Sequence, residues 1–320
     1  MRMDGGIDMN ILVTGSTGLV GSSLLDKVFR LKDSRHTWAF SNSKTCNLFL
    51  KKEIKQTLLK TEPDIIIHLA GKVGGIKANK ENQIRFLNEN ALMSLNIINA
   101  AYDWNPNIKI ISTLSTCIYP ESLDDSLYPL NEEVIEVGPP QPTNEGYAVG
   151  KRLLYSLIKL YNQEYGTKHV GLIPSNLYGP GDHFDSQDSH FLAAMISKIK
   201  KAKESGSSKI RLLGDGKPYR QFTYVDDLVQ AILRCIEKPE IFGFFNIATP
   251  ENKTIRELAE IALQQCGASG INLEFDVEDG LSGQYRKDVS ANKFDSTFGK
   301  LNYTPLEEGI RKTWNWYNGN

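Results

Sequence analysis

Apolar and polar positions divide the first half of the chain into two kinds of segment. Short, almost unbroken apolar runs predict strands: Asn10-Ile11-Leu12-Val13-Thr14, Thr37-Trp38-Ala39-Phe40, Asp64-Ile65-Ile66-Ile67-His68-Leu69, Lys109-Ile110-Ile111-Ser112-Thr113-Leu114 and His169-Val170-Gly171-Leu172-Ile173-Pro174. Between them, apolar residues recur at helical spacing, notably over residues 86–102 and 147–165. Strands that are apolar at every position, not at alternate ones, are buried on both faces. With helices between them they predict a parallel sheet covered on both sides, and hence an α/β protein.

Past residue 180 the pattern loosens. Residues 179–187 are rich in Gly, Pro, Asp and Ser and predict a loop. Helices are expected over 190–203 and 225–237, with the loop Glu204-Ser205-Gly206-Ser207-Ser208-Lys209 and a turn at Gly214-Asp215-Gly216 between them. A strand over 244–248 and a helix over 254–266 follow, with Thr254 as that helix's cap. The 320 residues suffice for one large α/β domain or a main domain with a smaller partner.

Bulk charge narrows the function. A net charge of −1 without a charged tail leaves no electrostatic footprint for nucleic acid. No apolar run is long enough to span a bilayer. The opening Met1-Arg2-Met3-Asp4-Gly5-Gly6 lacks the apolar stretch of a secretory signal, so residues 1–8 read as a loose leader. The four cysteines, at 46, 117, 235 and 266, are spaced neither as a metal site nor as a disulfide framework. The expectation is a reduced, cytoplasmic protein without a bound metal.

The first strand runs into Gly15-Ser16-Thr17-Gly18-Leu19-Val20-Gly21, which opens a helix. Gly15 permits a tight turn, Gly18 lets backbone approach a pyrophosphate at the positive helix end, and Gly21 allows close helix–strand packing. This strand–loop–helix context predicts a dinucleotide site in a Rossmann-type doubly wound sheet. An NAD site wants a carboxylate after the second strand; this chain has Ser41-Asn42-Ser43-Lys44. Ser43 and Lys44 suit a ribose 2′-phosphate, so NADP(H) is expected. The expected division is a cofactor domain over 9–180, to which segments around 221–250 return, and a smaller, mainly substrate-binding α/β lobe over 181–320.

Tyr147 and Lys151 stand four residues apart on a predicted helix, hence on one face. A neighbouring ammonium is expected to lower the phenol's pKa, so that it exchanges a proton with a carbonyl or alcohol near neutral pH. Ser115, at the end of the fourth strand, can bond the same oxygen. Together these three groups predict a hydride-transfer site.

The glycine loop, Ser115, Tyr147 and Lys151 resemble the extended short-chain dehydrogenase/reductase family over nearly the whole chain. Later stretches are similar too: Arg220-Gln221-Phe222-Thr223-Tyr224-Val225-Asp226-Asp227, Phe245-Asn246-Ile247 and Thr304-Pro305-Leu306-Glu307-Glu308-Gly309-Ile310. Three stretches look narrower: Lys72-Val73-Gly74-Gly75-Ile76, Ser115-Thr116-Cys117-Ile118-Tyr119-Pro120 and Pro174-Ser175-Asn176-Leu177-Tyr178-Gly179-Pro180, followed by Asp188-Ser189-His190. They resemble the branch that epimerises GDP-4-keto-6-deoxy-mannose at C3 and C5 and reduces it with NADPH to GDP-L-fucose. By that resemblance Cys117 is the base and His190 the acid of the epimerisation, both being groups that titrate near neutral pH. The resemblance also carries cofactor contacts to Leu69, Ala70, Pro174, Asn176, Leu177 and His190. It gives Arg220, Lys198 and Lys287 to the GDP-sugar, and it pairs the helices from residues 86 and 147 across a homodimer.

Away from that run, a free cysteine is usually a small buried hydrophobe, and Cys46, Cys235 and Cys266 read as structural. His68 reads as packing, and His183 as a rival for the role of His190. The chain departs from the branch at Asn47-Leu48, where an aspartate is common, at Leu213, in place of a tryptophan, and at Ser282-Gly283, in place of Asp-Gly. Rival expectations are a sugar-nucleotide 4-epimerase, which needs no Cys–His pair, and a 4,6-dehydratase, which wants an acidic pair where Thr116-Cys117 stands. A cofactor-binding regulatory protein has no use for the Ser–Tyr–Lys set.

Overall fold

The computed structural model describes residues 8–32, 35–184, 189–277 and 284–319. Residues 1–7 of the expected leader, residues 185–187 of the expected loop, Asp188 and Ser282-Gly283 lie outside the described residues. In chain order the first half comprises β1 (Asn10–Thr14), α1 (Leu19–Leu31), β2 (Thr37–Ser41), α2 (Lys51–Thr61), β3 (Ile65–His68), α3 (Ile76–Glu81), α4 (Gln83–Trp104), β4 (Lys109–Thr113), α5 (Glu145–Glu164) and β5 (Val170–Pro174). The second half comprises β6 (Asn176–Tyr178), α6 (Phe191–Ser205), β7 (Lys209–Leu213), β8 (Tyr219–Arg220), β9 (Phe222–Tyr224), α7 (Val225–Glu237), β10 (Gly243–Ile247), β11 (Lys253–Thr254), α8 (Ile255–Gln265), β12 (Asn272–Asp276), α9 (Asn292–Phe298) and α10 (Leu306–Gly319).

Six strands form one sheet in the order β2-β1-β3-β4-β5-β10, every neighbouring pair parallel. The continuous apolar runs are explained by what covers them. Leu12, Ile66 and Ile110 pack with α2, α4 and α5 on one face. Ile11, Val13, Ile65, Ile67 and Ile111 pack with α1, α7 and α9 on the other. This is the doubly wound α/β fold. From β1 the chain goes to β2 on one side and then to β3 on the other. The carboxyl ends of β1 and β3 therefore flank a switch point, where such sheets bind ligands.

A second core joins α6, α8 and α10 to β7, β9 and β12. Thr254 caps α8 as expected: its hydroxyl accepts from the Glu257 N–H at 3.1 Å, and the Glu257 carboxylate accepts from the Thr254 N–H at 2.7 Å. The expected turn at 214–216 is present, with Gly214 and Gly216 at positive φ. Several elements were silent in the sequence, α2 and β7 among them. Of α2 only Ile54 and Leu58 are buried, too few to mark a helical face. In β7, Ile210 and Leu212 alternate with exposed Lys209, Arg211 and Leu213 over just five residues.

Candidate active site

The first wall of the site is the loop after β1. Gly15 has φ +76°, and a Cβ there would lie 2.6 Å from the backbone nitrogen of Ala70, so only glycine lets this loop rest against the end of β3. Gly18 is the N-cap of α1, with no side chain capping the helix and no acid in its first turn. A Cβ at Gly18 would meet only the Gly15 carbonyl within 4 Å, at 3.5 Å. The loop thus offers open space in front of the unpaired N–H groups of Leu19, Val20 and Gly21, which suits a pyrophosphate. Ser16 is buried and ties its N–H to the Ser41 carbonyl at 3.0 Å; Thr17 is exposed. Beyond β2, Ser43 and Lys44 are exposed, on a turn in which the Asn42 side chain accepts from the Lys44 N–H at 2.9 Å. These residues fit NADP(H): the cradle could hold the diphosphate, and Ser43 and Lys44 could meet a 2′-phosphate.

The second wall carries Ser115, Tyr147 and Lys151. Ser115 ends the segment after β4. Its hydroxyl accepts from the Cys117 N–H at 3.2 Å and lies close enough to the Tyr147 phenol to act on its pKa. Tyr147 is 7% exposed and packs edge-on against Phe86. Burial pushes its phenol well above the usual value, and the Cys117 sulfur adds to this, while the Ser115 hydroxyl acts against it. The expectation that Lys151 lowers this pKa is therefore corrected. The Lys151 ammonium donates to the Thr113 carbonyl at 2.9 Å, and burial draws its own pKa down to about 8. A phenol that keeps its proton is suited to giving it to a developing alkoxide.

Cys117 lies in the short 3-10 turn Thr116–Ile118, whose N-cap is Ser115. The Asn144 side-chain amide donates to its sulfur at 3.2 Å and the Lys287 ammonium at 3.4 Å. Lys287, expected on the nucleotide, thus stands against the cysteine. Cys117 is only partly buried, whereas Cys46, Cys235 and Cys266 are buried, and burial pushes their thiols up, to about 12 for the latter two. The loop is pinned by Arg152 on α5, which donates to the carbonyls of Ile118, Ile135 and Gly138 at 2.7–2.8 Å.

His190 is the N-cap of α6 without capping it through its side chain, and its Nδ1 lies 3.7 Å from an Asp182 carboxylate oxygen. The same oxygen accepts from the His183 N–H at 2.8 Å. Among the described residues no hydrogen bond joins His190 to the Cys117 cluster. Arg220 on β8 donates to the Tyr219 carbonyl; burial lowers its pKa and the charge of Cys117 acts the other way. Lys198 donates to the Arg211 carbonyl on β7 at 2.8 Å, and partial burial lowers its pKa. Leu69 and Ala70 lie against the glycine loop, while Asn176 donates to the Gln221 carbonyl at 2.9 Å, next to Pro174 and Leu177. His68 does have a partner, the Thr14 hydroxyl at 2.9 Å, and stands close enough to Lys151 to feel its charge. Asn47 caps the turn into α2, its side chain accepting from the Phe49 N–H, and Leu213 is 55% exposed.

Sequence reasoning missed Asn144, Arg152 and Asn90. Asn90 exchanges two 3.0 Å bonds with the backbone of Lys72 and so holds the glycine-rich stretch after β3. A buried asparagine inside a helix is the one signal that could have found it.

Residues 11–248 match the NAD dependent epimerase/dehydratase family. A GDP-L-fucose synthase of Dictyostelium discoideum is 33% identical over 309 residues, covering 96% of this chain and 94% of its own. A GDP-L-colitose synthase of Yersinia pseudotuberculosis is 35% identical over 307 residues, covering 95% and 96%. Among solved structures, a GDP-L-fucose synthetase from Naegleria fowleri bound to NADP superposes with a TM-score of 0.86 at 32% identity, covering 98% of this chain and 95% of that one.

Proposed function

We propose, for a chain that belongs to the NAD dependent epimerase/dehydratase family, that it converts GDP-4-keto-6-deoxy-D-mannose to GDP-L-fucose by 3,5-epimerisation and NADPH-dependent reduction at C4. One observation carries the reading. The Ser115 hydroxyl accepts from the Cys117 N–H and also lies close enough to Tyr147 to act on its phenol, so a reduction set and a proton-exchanging thiol meet at one residue. The similarity to GDP-L-fucose synthases over nearly the full chain, and to the NADP-bound structure, supports it.

The mechanism follows from the ketone. It acidifies the protons on C3 and C5, and removing one gives an enolate. Cys117 takes the proton; His190 returns one from the opposite face, which inverts the carbon. Bound NADPH supplies a hydride to C4. Tyr147 donates its proton to the C4 oxygen, with Ser115 bonding that oxygen and Lys151 charging the wall behind it. Arg220 and Lys198 are assigned to the diphosphate, since a guanidinium fork matches phosphate oxygens. Leu69, Ala70, Pro174, Asn176 and Leu177 are assigned to the cofactor. Residues 9–180, with 221–250, form the cofactor domain in this reading, and 181–320 mainly the substrate lobe.

The active form is assigned as a cytoplasmic homodimer. Four unpaired cysteines support a reducing compartment. The dimer rests on α4 and α5, which lie side by side and each expose an apolar stripe: Ile84 and Leu92, and Val149 and Leu160. A second product is favoured by the 35% match to the colitose enzyme. Colitose lacks the 3-hydroxyl of fucose, so the same site would then invert C5 alone. A simple 4-epimerase or 4,6-dehydratase leaves the Cys117 cluster without a task.

The test is to mix the protein with GDP-4-keto-6-deoxy-mannose and NADPH in deuterated water. GDP-fucose with deuterium at C3 and C5 is expected, lost or replaced by an unepimerised sugar in Cys117→Ser. No oxidation of NADPH overturns the reading. Deuterium at C5 alone, with preference for the 3-deoxy substrate, selects colitose.

A further inference from the structure

We propose that Lys287 is a positioning residue for Cys117: its ammonium, with the Asn144 amide, holds the sulfur as the thiolate that accepts the proton. The inference rests on the function proposed above for what the thiolate does, but not for whether it exists.

The geometry is specific. Two donors converge on one sulfur from different parts of the chain, Asn144 at 3.2 Å and Lys287 at 3.4 Å. A thiol is a poor acceptor, while a thiolate beside an ammonium gains both charge and hydrogen bonds. Arg220, from β8, lies within electrostatic range of Cys117, and Tyr147, from α5, packs with it. The first adds positive charge. The second is a phenol that burial keeps protonated. Apolar contact comes from Ala78, Phe86 and Tyr147, which shield the sulfur without burying it completely.

The arrangement gives Lys287 a role separate from nucleotide binding. A base that must take a proton from carbon has to be deprotonated before the substrate arrives, and a free thiol is mostly protonated at neutral pH. In the transfer the thiolate gains the proton and becomes a thiol, and the substrate carbon keeps the electron pair as an enolate. The ammonium keeps its own protons throughout. It therefore stabilises the charged form before the step and does not itself act as acid or base.

The experiment is alkylation of Cys117 by iodoacetamide across pH 5.5 to 10, without substrate, with the modified peptide quantified by mass spectrometry in wild type, Lys287→Met and Lys287→Arg. Burial of the other three cysteines keeps the Cys117 signal distinct. Removing a cation at this distance is expected to slow alkylation at pH 7 about tenfold in the methionine variant. The rates should converge at pH 10, and the arginine variant should restore the wild-type profile. Superimposed profiles overturn the proposal. So does a drop equal at every pH, which would report altered access and not charge. If the methionine variant fails to fold, Lys287→Gln makes the same comparison with length and polarity kept. Because no sugar is present, a shifted profile stands even if the enzyme reduces no GDP-sugar. Unshifted profiles in an active enzyme sink only this inference.

Discussion

The Lys151 ammonium donates to the Thr113 carbonyl at 2.9 Å, at the carboxyl end of β4, with nine-tenths and more of both residues buried. Its pKa is drawn down to about 8 by burial, below the value in the unfolded chain. The sign follows. Between pH 8 and about 10.4 the unfolded chain holds a proton that the folded one has lost, so the cost of burying the charge is full below pH 8 and fades as pH rises. That cost is at most about 3 kcal/mol, and the lost bond to Thr113 offsets part of it in a neutral variant. Lys151→Met should unfold in urea near the wild-type midpoint at pH 7 and fall behind it at pH 9.5, while losing reductase activity.

His68 and His169 are buried and neutral, their pKa values lowered to about 3 and about 4, in each case first by burial and then by a lysine, Lys151 and Lys109 respectively. Stability is therefore full above the unfolded value of 6.5 and is lost as pH falls towards those values. From pH 6.5 to 5 each histidine should cost about 2 kcal/mol. Denaturant unfolding at pH 7 and pH 5 should show the loss, and His68→Gln should remove about half of it.

Two glycines of one loop should respond differently to alanine. Gly15→Ala forces a side chain at φ +76° into the backbone of Ala70, and should cost about 1–3 kcal/mol of thermal stability. Gly18→Ala has room in the free protein and should melt normally. The methyl would occupy the space assigned to the cofactor diphosphate, so NADPH binding measured by titration calorimetry should weaken at least tenfold.

The function proposed above assigns the choice of NADPH over NADH to Lys44. Removing its charge with Lys44→Met should raise KM for NADPH by about tenfold or more, the worth of a charge-assisted bond, and leave KM for NADH nearly unchanged. Steady-state kinetics with both cofactors decides it; equal effects on the two would move the 2′-phosphate elsewhere.

What the sequence revealed divides along a physical line. The strands were readable because both faces of the sheet are covered, and double burial writes itself as an unbroken apolar run such as Ile65-Ile66-Ile67. The glycine loop, Ser115 to Cys117, and Tyr147 to Lys151 were readable because each lies within one element or turn. Lys287 reaches Cys117 across 170 positions, and Asn144 and Arg152 act through backbone or sulfur partners fixed by tertiary packing. No local pattern records such meetings. The shift of Tyr147 was misjudged for a related reason: spacing puts Lys151 on its face of the helix, but only the fold shows that the ammonium is spent on Thr113.

Helix α5 carries Tyr147 and Lys151 and, one residue further, the arginine that fixes the carbonyls around Cys117. Both chemistries are therefore gauged from one rigid rod. A shift of that rod by an ångström cannot detune proton exchange and leave reduction in register, because the loop bearing the sulfur moves with it. Separating the two activities by mutation should be possible at the side chains alone, and never through the scaffold that spaces them.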